Sequence, residues 1–201
     1  MTNYLKLLIH NILAWVAKAP NMPQISINSI LQALKQFEGN EYTPYVPDVG
    51  QSGVTVGIGV DLGHMNFTAL IQSNTLREKI APYYGKYRDE AAQFLAQNPL
   101  ELTKEEVDYL STIAIESHLD ELRTWYNLSA LAPFGSLTDN QKIVMMSVKY
   151  QYGDIRRRTP KFWGFCVSRD WRGAYNELMN FGDAYKTRRR REAALLAKDF
   201  T

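Results

Sequence analysis

Glu38, Asp48 and Asp61 stand close together in one stretch of the chain, Phe37 to His64. Acid-assisted cleavage of a glycosidic bond uses two carboxyl groups, one protonated and one ionised. Groups suited to sugar binding surround these acids. Tyr42 and Tyr45 lie in a polar, proline-bearing segment, and Thr55, Gly57 and Gly59 lie on one side of an alternating run, Val54 to Val60. The stretch therefore has the residue types that a polysaccharide-cleaving cleft needs.

Each acid needs an element to hold it. Ile30, Leu31, Leu34 and Phe37 recur at helical spacing, with Ser26 or Ser29 available as the N-cap and Gly39 as the stop. Glu38 then falls in the last helical turn beside an aromatic residue. Partial burial and the negative end of the helix dipole both favour a protonated carboxyl, the form that serves as a general acid. The same pattern also fits an exposed glutamate at a helix end. Glu41 to Gly53 is expected as a loop, restricted by Pro44 and Pro47 and turned at Gly50 and Gly53.

Val54, Val56, Ile58 and Val60 alternate with Thr55, Gly57, Gly59 and Asp61, as in a half-buried strand. At about 3.3 Å per residue, a straight strand would hold Thr55 and Asp61 roughly 20 Å apart. They can share a site only if the segment turns back after Gly57 or Gly59, as in a hairpin. The glycines do not have the spacing of a dinucleotide-binding loop.

The remainder reads largely as helix. Helical spacing covers Phe67 to Ile80 and Asp89 to Leu95, with a turn at Pro82 between them. Thr103 with Glu106, and Thr138 with Gln141, form capping-box patterns ahead of longer apolar-periodic runs. Further helices are expected around Trp171 to Asn180 and Thr187 to Ala197. At the start of the chain, Leu5, Leu8, Ile12, Trp15 and Val16 make a helical stripe. His10 and Asn11 interrupt its apolar run, so an amphipathic helix packed on the body is preferred to a cleaved signal.

The chain has 201 residues, 45% of them apolar and 22% charged, with a formal net charge of +2, which suits a soluble globular domain. No eighteen-residue apolar run exists, so no stable membrane insertion is expected. Cys166 is the only cysteine, which excludes an internal disulfide and reads as a buried thiol. His10, His64 and His118 lack paired ligand spacing, and no metal is expected. Of the basic runs Arg156–Arg158 and Arg188–Arg191, the second can pair Arg188 with Glu192 and spread round a helix surface. This is preferred to a nucleic-acid face, since base-reading motifs are absent.

These residues resemble the phage-type lysozyme family, and within it the pesticin-like muramidase branch. The resemblance rests on Phe37-Glu38-Gly39, on the run Ser52 to His64, and on Gln151-Tyr152-Gly153, Pro160-Lys161-Phe162-Trp163 and Tyr185 to Leu195. It implies an α+β, mainly helical fold of two lobes, a small β-hairpin lobe and a larger helical lobe. As a single domain over residues 1–201, it would comprise an N-terminal helical segment (1–25), a small lobe (26–66) and a helical lobe (67–201). The implied activity is hydrolysis of the β-1,4 bond between N-acetylmuramic acid and N-acetylglucosamine in peptidoglycan, without a cofactor. Glu38 matches the family's catalytic acid and Thr55 its active-site threonine. Asp61 matches the second carboxylate of the pesticin-like branch. Asp48 sits near the loop aspartate of the other phage-type enzymes and is the alternative. Asp61 is preferred because its spacing fits without a gap. Tyr42, Tyr45 and His64 are candidate substrate contacts. The resemblance further implies a monomer that binds peptidoglycan and no nucleic acid. It would be held in the host cytoplasm before release to the periplasm or cell wall, with a holin or another export partner. A lytic transglycosylase and a non-catalytic wall-binding protein are the alternatives.

Overall fold

The computed structural model describes residues 25–48, 50–64 and 68–200, with backbone alone at Glu38 and Thr68. The apolar stripe expected between Leu5 and Val16 lies outside these residues. Among the described residues the helices are α1 (Ile27–Glu38), α2 (Asn74–Ile80), α3 (Arg88–Gln97), α4 (Lys104–Ser129), α5 (Asp139–Tyr152), α6 (Ile155–Arg158), α7 (Pro160–Ser168), α8 (Trp171–Met179) and α9 (Lys186–Ala197). Strands β1 (Glu41–Tyr45), β2 (Thr55–Gly57) and β3 (Val60–Asp61) form one antiparallel sheet in that order. This is the α+β, mainly helical architecture expected from the sequence. No described helix is long and apolar enough to cross a membrane.

Local signals account for most of the helix ends. Ser26 caps α1 by accepting the Ser29 N–H at 3.4 Å, and the Gly39 N–H closes the helix on Lys35 O. Both capping boxes form, Thr103 with Glu106 opening α4 and Thr138 with Gln141 opening α5. Ile30 and Leu34 are fully buried, and α1 lies against α4 and α5. Helix α4 also packs on β2 and β3, so one long helix carries the sheet and meets the helical bundle. In the bundle, α9 packs on α8 and α5, and α7 packs on α6 and α8.

The structure departs from the sequence expectations in three places and meets the hairpin expectation in a fourth. Glu41 to Tyr45 is a strand, although prolines had marked the segment as loop; Pro44 is tolerated because β1 is an edge strand, with an irregular register between Glu41 and Tyr45. Val54 to Val60 is not one strand but a tight hairpin. The helix expected from Phe67 is shorter, starting only at Asn74, where the Ser73 hydroxyl accepts the Leu76 N–H. Residues 65–67 lie outside the described set. Two helices, α6 and α7, fill the interval left unassigned between Gly153 and Trp171. Asp154 caps α6, and Pro160 stands in the first turn of α7, where a missing N–H costs nothing.

Candidate active site

Glu38 is the last residue of α1, three residues before β1 begins at Glu41. It therefore stands where the helix hands over to the sheet. The Arg191 guanidinium of α9 donates to Gln36 O at 2.8 Å, satisfying a carbonyl in the last turn and securing the helix end that carries Glu38.

The segment after Thr55 turns back, as the spacing demanded. Gly57 and Gly59 take φ values of +63° and +107°, which a side chain would oppose. The reversal pairs Val56 with Val60 and Thr55 with Asp61. Antiparallel partners stand about 4.5–5.5 Å apart between Cα atoms, against the roughly 20 Å of a straight strand. Tyr45 of β1 is the partner of Thr55 on its other side, so Tyr45, Thr55 and Asp61 form one row across the sheet. The outer face of β1, with Glu41, Thr43 and Tyr45, borders a depression of about 500 Å³.

Asp61 is tightly held. Its Oδ1 accepts the Gly53 N–H at 3.1 Å and the Gly63 N–H at 2.8 Å, while Oδ2 meets His64 Nδ1 at 3.0 Å. The His64 ring lies 4.4 Å from the Tyr87 ring, and the Tyr87 hydroxyl donates to Gly63 O at 3.1 Å. Gly53 and Gly63 cross so closely that a Cβ on either would fall 2.5 or 2.6 Å from Lys86 O. Thr55 is only 3% exposed, and its hydroxyl donates to Gly53 O at 3.1 Å. The structure thus brings Thr55, Asp61 and His64 together at the base of one hairpin.

Other candidates are placed differently. Asp48 is exposed, in the bend beyond β1. Tyr42 alternates away from Tyr45; its hydroxyl donates to Asp108 at 3.4 Å and its ring lies between the Lys35 and Lys104 ammonium groups. It ties β1 to α1 and α4 rather than joining the row. Sequence reasoning missed Tyr87, which is far along the chain from Asp61 and carries no local motif. It also missed Tyr150, which packs beside Gly59 from α5.

With this geometry in place, the comparison with known proteins is informative. Residues 28–172 match the family model of pesticin, described as the C-terminal part of a bacterial toxin homologue of phage lysozyme. The chain belongs to the pesticin family. The match spans Glu38, Asp48, Thr55, Asp61 and His64 and stops before α9. A crystal structure of a P22 lysozyme mutant superposes on this pesticin-family chain with a TM-score of 0.55 and 19% identity, covering 88% of this chain and 99% of that one. That likeness establishes the phage-lysozyme fold. No curated protein sequence matches the chain.

Beyond the matched span, α9 supplies a buried charge network. Glu192 is fully buried, accepting from Arg188 Nε at 3.1 Å, from Arg189 and from the Ser147 hydroxyl. Burial pushes the Glu192 carboxyl up, against the opposing pull of Arg189, Ser147 and Arg188. The Arg188–Glu192 pairing expected at helical spacing is present. The expectation that the run spreads over the surface is corrected, because Arg188 and Arg189 are buried and only Arg190 and Arg191 face outward. Nearby, Lys149 is buried and donates to Glu121 at 2.8 Å and to His118 Nδ1 at 2.9 Å. Burial and then the Lys149 charge pull His118 down to about 4. Cys166 is buried as expected, and burial raises its thiol well above the usual range. Among the described residues no group of three or more His, Cys, Asp or Glu could hold a metal ion.

Proposed function

We propose that this pesticin-family chain is a muramidase that hydrolyses the β-1,4 bond between N-acetylmuramic acid and N-acetylglucosamine in peptidoglycan. The reading rests chiefly on one observation, the hairpin that makes Thr55 and Asp61 cross-strand partners in the sheet whose first strand follows the helix end bearing Glu38. Family membership supports it. Glu38, the last residue of α1, is the general acid that gives a proton to the glycosidic oxygen. Asp61 is the second carboxylate, either activating water or supporting the oxocarbenium-like centre. Its fixed orientation suits that role. Thr55 holds the base of the hairpin through Gly53 O and positions Asp61 across the pair. Tyr45, exposed at the end of the same row, offers an aromatic face to a sugar.

The test is digestion of purified peptidoglycan with product analysis by mass spectrometry, using wild type, Glu38→Gln, Asp61→Asn and Asp48→Asn. The wild type releases fragments whose new reducing ends contain water. Glu38→Gln and Asp61→Asn fold but release little, and Asp48→Asn stays active. Full turnover by Glu38→Gln sinks the reading. A 1,6-anhydro product moves the chain to the lytic transglycosylases, and binding without release makes it a wall-binding protein. Loss on Asp48→Asn with activity kept in Asp61→Asn transfers the second role to Asp48.

A further inference from the structure

We propose that His64 is a positioning residue for Asp61, holding Oδ2 of the carboxylate in place during glycoside cleavage. The inference rests on the muramidase reading, with Asp61 as the second carboxylate.

The two carboxylate oxygens of Asp61 are not equivalent. Oδ1 accepts two backbone hydrogens, from Gly53 at 3.1 Å and Gly63 at 2.8 Å. Its lone pairs are directed into the hairpin base. Oδ2 is the oxygen left to meet a water or a sugar carbon, and His64 Nδ1 stands 3.0 Å from it. An ionised carboxylate only accepts, so this contact requires the hydrogen on Nδ1 and turns Nε2 outward. Rotating Asp61 about its side chain would break all three bonds at once.

The imidazole is itself oriented. Although 55% of the His64 side chain is exposed, one face rests on the Tyr87 ring at 4.4 Å. The Tyr87 hydroxyl bonds the carbonyl of Gly63, the residue whose N–H holds Oδ1. The supports of both oxygens therefore converge on Gly63 and Tyr87. Of the titratable groups on neighbouring elements, Asp61 on β3 and Tyr87 before α3 face the ring. The adjacent Lys86 ammonium is turned to Glu90 at 3.5 Å and lies over the Phe94 ring at 4.7 Å.

The chemical consequence follows from geometry. His64 donates one hydrogen bond to Oδ2 and leaves that oxygen a lone pair for the reaction. This role is distinct from the sugar contact that the sequence suggested for His64.

The experiment uses the full chain on purified peptidoglycan, with kcat and KM measured for wild type, His64→Ala, His64→Asn and Asp61→Asn. Asparagine places an amide N–H near the position of Nδ1 and does not titrate. In His64→Ala, kcat falls roughly tenfold, the size expected for a lost charge-assisted hydrogen bond. KM stays within about twofold, as for an interaction made to a reacting group rather than to substrate. His64→Asn recovers most of kcat, because its amide N–H restores the hydrogen bond to Oδ2. Thermal melts accompany each variant, and His64→Asn carries the test if His64→Ala unfolds. Wild-type kcat in His64→Ala, or equal impairment in both His64 variants, overturns the positioning role. With Asp61→Asn inactive, any of these outcomes leaves the muramidase reading standing. Wild-type turnover in Asp61→Asn overturns the assignment of Asp61 and this inference with it.

Discussion

Replacing Gly63 by alanine tests whether the hairpin base is packed as tightly as described. A methyl group there would lie 2.6 Å from Lys86 O, 3.1 Å from Asp61 Oδ1 and 3.1 Å from Gly53 Cα. Two of these neighbours are backbone atoms, and the third is the carboxylate that the Gly63 N–H holds. None is the free end of a flexible side chain. Gly63 is not in the left-handed region, so the whole effect is one of space. Forcing a methyl group into a filled site costs about 1–3 kcal/mol. For a chain of this length each kcal/mol is worth about 2–4 °C, so the melting temperature should fall by about 2–12 °C. Turnover should fall as well, because relief of the clash displaces Asp61. Losing a hydrogen bond to a charged group costs about 1.5–3 kcal/mol, which corresponds to roughly a ten- to hundredfold loss in rate. Gly164 is the control. It lies inside α7 with open space around its would-be Cβ, and alanine there should stabilise by about 1 kcal/mol through helix propensity, with turnover unchanged. Calorimetry and a peptidoglycan-clearing assay read both effects. A Gly63→Ala protein that melts and turns over like wild type would refute the packing argument.

Three further outcomes are expected. Glu192→Gln sets a neutral group against buried Arg188 and leaves Arg189 its ion pair with Asp183, and should cost about 3 kcal/mol in urea unfolding; an unchanged midpoint would mean that the network carries no net charge coupling. His118 titrates lower in the fold than in the unfolded chain, from 6.5 to about 4, so the unfolded state binds more protons in that window. The stability it contributes is present above about pH 6.5 and is lost as pH falls towards 4; wild type should therefore lose stability relative to His118→Asn as the pH falls from about 6.5 towards 4, read from melting curves across that range. Cys166, buried and with its thiol raised, should react with a disulfide reagent only at the rate of unfolding; rapid labelling of the native protein would contradict its burial.

Much of the helical frame was legible because its signals are local. Ser26, Thr103 and Thr138 bond to residues three positions away, so the caps can be read without knowing the fold. The Thr55 and Asp61 pair was legible as a condition: two side chains far apart in a straight strand, with glycines between them able to reverse it. Strand β1 was not legible, since its partner is β2 and Pro44 within it and Pro47 just beyond argue locally for a loop. Nor were the supports of Asp61. Tyr87 reaches it through ring contact and through Gly63, and no spacing rule connects residues so distant in the chain. The burial of Arg188 and Arg189 was hidden for a similar reason. A run of arginines reads as surface until Glu192 and Ser147 are seen to enclose it.

Pro44 has a consequence beyond the shape of β1. A sheet edge with a free row of amides invites another extended chain to add itself, whether a second copy or a peptide. Pro44 removes one donor from that row, and the irregular register of β1 breaks its rhythm. The sheet is thereby closed to growth on this side. The groups that β1 presents to its surroundings are then chiefly the side chains Glu41, Thr43 and Tyr45, which border the depression beside it.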